Sequence, residues 1–314
     1  MAIIITGSTG HIGNNIARKL SRLYDDIKLI VRRIDDSIKD IKAETIIGNF
    51  YDEELLNNNI HKGDIVIHLA GAIDIKNKER EKTLFINYEC TKTLFEVCVK
   101  KEIKRFIYFS SVDCIYKEKD EKIAEPENIY PEKFSDNYSY SKALATKYIM
   151  EQITLNPTID INILYPSAVI GINDFKPSAI GKVIVDIIDN KLEFGIKGGY
   201  NFVDVEDVAN ATSRIIQNNV SGDFILSGTD VTVKELYTSA NLILNKKKKV
   251  WNIPLFIVKM FIPFVPYLSR FVLLTLLENH NYDNTKMKEV LGVQPTNFLD
   301  TLDSTIKYFK ERGN

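Results

Sequence analysis

The chain is poor in the residues that build metal clusters or disulfide frameworks. It has 3 cysteines and 4 histidines. Cys90, Cys98 and Cys114 form no CxxC pair and their number is odd, so buried, reduced thiols and no metal site are expected. An excess of charge of either sign is also lacking: 41 basic residues face 42 acidic ones, for a net charge of −1. That balance excludes the strong field of a nucleic-acid or acidic-lipid binder. Met1 runs directly into an apolar stretch with no basic n-region or cleavable h-region, so a secretory leader is not expected and the cytoplasm is the expected compartment. The most apolar stretch, "IPLFIVKMFIPFVPYLSRFVLLTLL" from Ile253 to Leu277, is broken by Lys259, Arg270 and three prolines. No run reaches the roughly 20 residues of a membrane span. It reads as a helix pair lining a substrate lobe, with a membrane-surface contact as the alternative.

What is present is a strand–helix alternation. Short apolar runs at 2–6, 27–31, 44–48, 64–70, 105–110 and 161–165 are bare rather than alternating, the pattern of strands covered on both faces. Between the first two, Ile12, Ile16, Leu20 and Leu23 share one helical face. This predicts an α/β fold, a Rossmann-type doubly wound parallel sheet. Beyond residue 170 the pattern loosens into helical stretches at 179–190, 205–217, 233–244, 255–277 and 298–311, with one further strand candidate at 222–228. The expected division is a dinucleotide-binding domain over 1–170, with 203–228 returning to it. A smaller, mostly helical substrate lobe takes 171–202 and 229–314. The lysine run 246–249 reads as a solvated loop.

"TGSTGHIG" places Gly7, Ser8, Thr9, Gly10, His11, Ile12 and Gly13 between the first strand and the first helix. The first glycine permits a tight turn, the second lets backbone approach a pyrophosphate, and the third lets helix pack on sheet. Free N–H groups at the helix start then face the phosphates. Strand two ends in Arg32 and Arg33 instead of the acidic residue that takes a ribose hydroxyl. Guanidinium forks suit a 2′-phosphate, so NADP is expected over NAD.

Tyr138 and Lys142 stand four apart, on one face of a helix. An ordinary phenol, with a pKa of about 10, is too weak an acid to serve as a base at neutral pH. A nearby ammonium and a positive nicotinamide are expected to favour phenolate. Tyr138 would then give a proton to a carbonyl or take one from an alcohol. Ser111, at a strand end, would hydrogen-bond the same oxygen.

Together with "IIGNFYD" (46–52), "HLAG" (68–71), "FINYECTKTLFEVC" (85–98), "FSSVDCIY" (109–116), "YSYSK" (138–142), "LYPSAVIG" (164–171) and "FVDVEDVANA" (202–211), the glycine turn makes the chain resemble the extended short-chain dehydrogenase/reductase family over nearly its whole length. Within it, "SSVDCIY", "YNFVDVEDVA" and "YDNTKMKEVLG" look most like dihydroflavonol-4-reductase-like and 3β-hydroxysteroid-dehydrogenase-like members. The resemblance implies that Asn87 helps organise a water relay to Lys142, and that Pro166 and Ser167 cradle the nicotinamide amide, with Tyr165 where an arginine is usual. It implies that Asn49, beside Phe50, stands where an aspartate contacts adenine, and that Leu69, Ala70 and Gly71 line the cofactor's middle. His11 and His68 read as packing or loop residues.

Val112 and Asp113 follow Ser111, so one of the two carboxyl positions that sugar dehydration uses is apolar. The expected activity is therefore hydride transfer between NADP and an alcohol or carbonyl, with a hydrophobic small-molecule substrate suggested by 251–271. A nucleotide-sugar 4-epimerase with tightly bound NAD is the alternative, and a non-catalytic NAD(P)-binding sensor stands behind it. Family members often dimerise through the helices that here span 81–100 and 138–154. A homodimer is the candidate assembly, with Leu84, Tyr88, Phe95 and Tyr148 on either its outward or its sheet-facing side.

Overall fold

The computed structural model describes residues 1–74, 76–118, 121–191, 194–257 and 270–313. Seven strands form one parallel sheet: β1 (Ile3–Thr6), β2 (Ile27–Val31), β3 (Glu44–Ile47), β4 (Ile65–His68), β5 (Arg105–Phe109), β6 (Asp160–Pro166) and, late in the chain, Gly222–Leu226. Their spatial order is β3-β2-β1-β4-β5-β6 followed by the Gly222–Leu226 strand. The chain therefore winds one way from β1 and the other way from β4. That reversal opens a crevice at the carboxyl ends of β1 and β4, where ligands settle in open α/β sheets.

Both faces of the sheet are covered, which is why its strands read as bare apolar runs. On one side Ile16 and Leu20 of α1 (His11–Leu20) meet Val208 and Ile215 of a helix at Val205–Gln217. On the other side Leu94, Phe95, Ala145 and Ile149 form the core. Each such valine, leucine, isoleucine or phenylalanine, fully buried, stabilises the fold by about 1.5–3 kcal/mol. Leu23, expected on the buried face of α1, is 46% exposed because the helix ends at Leu20. Phe95 belongs to the sheet-facing side: it is fully buried with its ring 5.1 Å from that of Phe106.

The segment 80–100 begins as α2, taken here as Arg80–Leu84, passes through a π-helical turn at Phe85–Glu89, and continues as α3 (Cys90–Lys100). The helix α4 (Asn137–Leu155) is started by Asp136, whose carboxylate accepts from the Ser139 N–H at 2.7 Å.

The helices expected in the later part of the chain appear at Ala179–Ile188, Val205–Gln217, Val233–Ile243 and Phe298–Glu311, and the pattern missed a small sheet among them. Three short strands, β7 (Ala168–Ile170), β8 (Gly199–Asp204) and β10 (Thr229–Thr232), make a second sheet, with Gly222–Leu226 being β9. β8 lies at its centre, parallel to β7 and antiparallel to β10. Residues 258–269 of the apolar stretch lie outside the described residues, and its end forms a helix at Arg270–Leu277. No helix among the described residues is long and apolar enough to cross a membrane.

Candidate active site

The chain leaves β1 at Gly7 with φ +78, a left-handed conformation that side chains rarely adopt. A Cβ there would come within 2.6 Å of the Ala70 nitrogen, so the exits of β1 and β4 touch backbone to backbone. Gly13 lies against the same turn: its Cβ would overlap the Gly7 carbonyl oxygen and sit 2.8 Å from the carbonyl carbon. Gly10 is different. It caps α1 with ordinary extended torsions and no side-chain hydrogen bond, and a Cβ there would meet only the Gly7 oxygen, at 3.3 Å. Its bareness serves the cleft rather than the fold. The N–H groups of the first turn of α1 have no partner in their own helix and open on that cleft.

Gly7, Gly10, His11, Ile12, Gly13, Leu69, Gly71, Ser111, Tyr138, Lys142, Pro166 and Ser167 all line one cleft of about 450 Å³. Ser167 is buried, and its hydroxyl has no hydrogen-bond partner among the described residues. An orphaned hydroxyl beside a bare glycine turn fits a dinucleotide. Arg32 and Arg33 are exposed just past β2 and form no ion pair among the described residues. Asn49 and Phe50 are half-buried, and the Phe50 ring lies 5.0 Å from that of His68.

His68 is a core residue. Its ring bonds Thr6 at 2.7 Å and Thr91 at 2.9 Å, and burial, with the Lys142 charge, pushes its pKa down to about 3. His11 bonds the Ile172 carbonyl oxygen at 3.0 Å, and burial lowers its pKa too. Both rings are held neutral.

Ser111 follows β5 and starts a short turn, Val112–Cys114. Tyr138 and Lys142 come from the first turns of α4. Lys142 is buried and donates to the Phe109 carbonyl oxygen at 2.7 Å. Burial lowers its pKa to about 8. Tyr138 is hydrogen-bonded with Ser111, but burial and the Asp113 charge push its phenol above the ordinary value. Of the two charges expected to draw this phenol down, the ammonium alone does not do so. The ammonium is engaged with the Phe109 carbonyl, and a carboxylate is the stronger electrostatic neighbour of Tyr138.

Asn87 sits in the π-helical turn and grips the loop after β4. Its Oδ1 accepts from the Ala72 N–H at 2.7 Å, and its Nδ2 donates to the Ala72 carbonyl and to Ser141 Oγ, both at 2.9 Å. A Cβ on Gly71 would stand 3.1 Å from Asn87 Oδ1 and 3.8 Å from Lys142 Nζ, so these three residues converge.

Sequence reasoning missed a polar cluster that reaches the same cleft through Asp113. Asp113 Oδ2 accepts from the Ser111 hydroxyl at 3.1 Å. Lys117, only 5% exposed, stands 3.8 Å from Asp113 and 2.7 Å from Glu278. Burial opposes its charge, yet Tyr282, Asp113 and Glu278 outweigh that and hold the ammonium above its ordinary range. Tyr200, His280 and Tyr282 also line the cleft. Burial and Lys117 push the His280 pKa down to about 4. Asp113, two residues after Ser111, was the one local signal. Glu278 lies 161 residues from Lys117 and leaves no pattern to read.

The sequence profile of the NAD dependent epimerase/dehydratase family matches residues 3–226. The chain is 20% identical to Sterol demethylase protein B of Methylococcus capsulatus, covering 100% of this chain and 99% of that protein. It is 27% identical to the dTDP-D-glucose 4,6-dehydratase of Dictyostelium discoideum, over 77% of this chain and 61% of that protein. UDP-glucose 4-epimerase of Thermotoga maritima, solved with UDP-glucose, superposes over 100% of both chains with a TM-score of 0.83 at 19% identity, a likeness of fold. With a glycine turn, a serine and a Tyr-Lys pair on one cleft, the chain belongs to the NAD dependent epimerase/dehydratase family and is an NAD(P)-dependent oxidoreductase of the extended short-chain dehydrogenase/reductase type.

Proposed function

We propose that the protein transfers a hydride between a nicotinamide dinucleotide, NADP by preference, and an alcohol/carbonyl pair on a hydrophobic small molecule. The observation that carries this reading is the cleft shared by the glycine turn, Ser111, Tyr138 and Lys142. The bound nicotinamide would supply the hydride chemistry. Tyr138, kept protonated by burial and by Asp113, holds a proton for a carbonyl oxygen at neutral pH. Ser111 is placed to hydrogen-bond the same oxygen, and Lys142 brings a positive charge beside it. Gly10 and the start of α1 would hold the pyrophosphate, Ser167 the nicotinamide end, and Asn49, Phe50, Arg32 and Arg33 the adenosine end. Whole-chain similarity to a protein named for sterol demethylation supports a hydrophobic substrate.

The domain division belongs to the same reading: 1–170 with 203–228 binds cofactor, and 171–202 with 229–314 shapes the substrate end. So does a homodimer through 81–100 and 138–154, where Phe85 and Ile153 are exposed.

The second reading, a nucleotide-sugar 4-epimerase with retained NAD, is favoured by the whole-chain superposition on an enzyme solved with UDP-glucose. One experiment separates them: release of cofactor from the purified protein, then fluorescence titration with NADPH and NADH. Exchangeable micromolar NADPH with much weaker NADH supports the reductase. Stoichiometric NAD surviving purification refutes it in favour of the epimerase.

A further inference from the structure

A helix begins with N–H groups that have no partner within it. In α4 the first of these belongs to Asn137, the residue before Tyr138, and its partner is 60 residues away: Asn77 Oδ1 accepts it at 2.7 Å. The Asn137 side chain reaches the same loop, where its Nδ2 donates to Asp74 Oδ2 at 2.8 Å. Asp74 and Asn137 are both buried. The loop is built to hold these acceptors still. Asp74 Oδ1 accepts from the Lys78 N–H at 3.0 Å, and Oδ2 accepts from the Glu79 N–H at 2.7 Å. Asn77, at φ +54, turns the chain, and its N–H donates to the Asp74 carbonyl oxygen at 3.0 Å. Burial opposes the charge on Asp74, yet Asn137 and these N–H groups outweigh it and hold the carboxyl below its ordinary range. Just upstream, Gly71, Ala72 and Ile73 line the cleft. One loop thus forms part of the cleft wall and grips the start of the helix that carries Tyr138.

We propose that Asp74 and Asn137 are positioning residues, a hydrogen-bonded brace that fixes where the Tyr138 hydroxyl stands in the cleft. The inference rests on the hydride-transfer reading above, in which that hydroxyl delivers the proton. Asn137 and Tyr138 share a peptide unit, so a shift of one passes directly to the other. Proton transfer needs hydrogen-bond reach of the substrate oxygen, and a displacement of about 1 Å can cost on the order of 100-fold in rate. The Asp136 cap does not replace the brace. It starts the helix whichever way the helix points, whereas Asp74 and Asn77 tie that start to the cleft wall. Asp74 and Asn137 themselves stand behind the cleft rather than in its lining, so they act through Tyr138.

The test uses benzil and cinnamaldehyde as carbonyl probes, with NADPH fluorescence as the readout. Asn137→Ala should bind NADPH as the wild type does and turn over about 10- to 100-fold more slowly at saturating cofactor. In a Tyr138→Phe background the same change should leave the residual single-turnover rate where it is, because a residue that acts through the phenol has no effect once the hydroxyl is gone. A merely structural loss would slow both backgrounds alike. Asn77→Gly keeps the left-handed turn and removes only the acceptor, and it should slow turnover severalfold in the same Tyr138-dependent way. Thermal melts check each fold, and if Asn137→Ala melts too low to assay, Asn77→Gly decides by the same comparison. A variant as fast as the wild type, or one that slows the Tyr138→Phe background by an equal factor, overturns the inference and leaves hydride transfer standing. If the wild type reduces neither probe, the hydride-transfer reading falls for such carbonyls, and ring-labelled tyrosine NMR of the NADPH-loaded protein reads the brace instead. The Tyr138 signal, assigned with Tyr138→Phe, should titrate in the ordinary phenol range in Asn137→Ala but not in the wild type, where burial and Asp113 keep the proton on. A Tyr138 that stays protonated through that range in the variant overturns the inference.

Discussion

Gly10 and Gly13 are three residues apart in one motif, yet their geometry predicts that alanine at each will damage the protein differently. At Gly13 the new methyl would overlap the Gly7 carbonyl oxygen, stand 2.8 Å from its carbon and 3.1 Å from the Ser8 Cα. All three are backbone atoms of a turn already pinned against Ala70, so α1 must lift from the sheet. Overpacking of this kind costs about 1–3 kcal/mol, more where backbone must move. With a melting temperature that shifts roughly 2–4 °C per kcal/mol in a chain somewhat smaller than this one, Gly13→Ala should melt several degrees low. At Gly10 the methyl meets one atom, at 3.3 Å, and the torsions suit any residue. Losing a glycine cap for alanine costs at most about 1 kcal/mol. The methyl would instead fill the space through which a pyrophosphate approaches. Gly10→Ala should therefore melt within a degree or two of the wild type while NADPH affinity falls about tenfold or more. Thermal melts without cofactor, paired with fluorescence titrations, separate the two effects. A Gly13→Ala protein as stable as the wild type would refute the packing argument. A Gly10→Ala protein that binds NADPH normally would refute the phosphate site.

Tyr138→Phe should bind dinucleotide as the wild type does and lose about 10²–10⁴ in turnover, measured at saturating cofactor. Lys142→Met should be inactive yet more stable at neutral pH, because a buried ammonium with a pKa of about 8 against the ordinary 10.5 is a cost of folding. That cost, on the order of 3 kcal/mol, is full below pH 8 and fades between 8 and 10.5 as the folded lysine sheds its proton before the unfolded one does. Denaturant melts at pH 7 and pH 10 should show the advantage of the methionine shrinking; a constant gap contradicts the shift. Replacing Arg32 and Arg33 together by alanine should weaken NADPH about tenfold or more with little change for NADH, and equal losses for both would remove the case for NADP.

The large sheet was legible because its inner strands β1, β4 and β5 are buried on both faces and announce themselves as apolar runs, even though the edge strand β3 is half exposed. The second sheet was not. β10 is "TDVT", with three of its four side chains exposed, and β7 is three residues long. Such strands exist because β8 lies between them, and pairing partners far apart in the chain leave no local period. The glycine turn and the Tyr138–Lys142 pair could be read from spacing, and the meeting of Ser111 with them on one cleft was what the family resemblance implied. The protonation of Tyr138 could not, because it depends on how deeply the ring is buried and on a carboxylate whose orientation is set by Lys117 and, through it, by Glu278.

Asn87 uses an acceptor and a donor on the same backbone unit of Ala72, much as one strand residue addresses another across a ladder. A helix thereby supplies a rung to a strand that has already ended. The π-helical turn at Phe85–Glu89 is the wide spot in that helix from which the amide reaches, and such turns arise from one residue added to an α-helix. Shortening this segment by one residue would restore a regular pitch and swing the amide about the helix axis, away from Ala72. The helix would survive such a deletion, and the cleft floor at 71–72 would come loose.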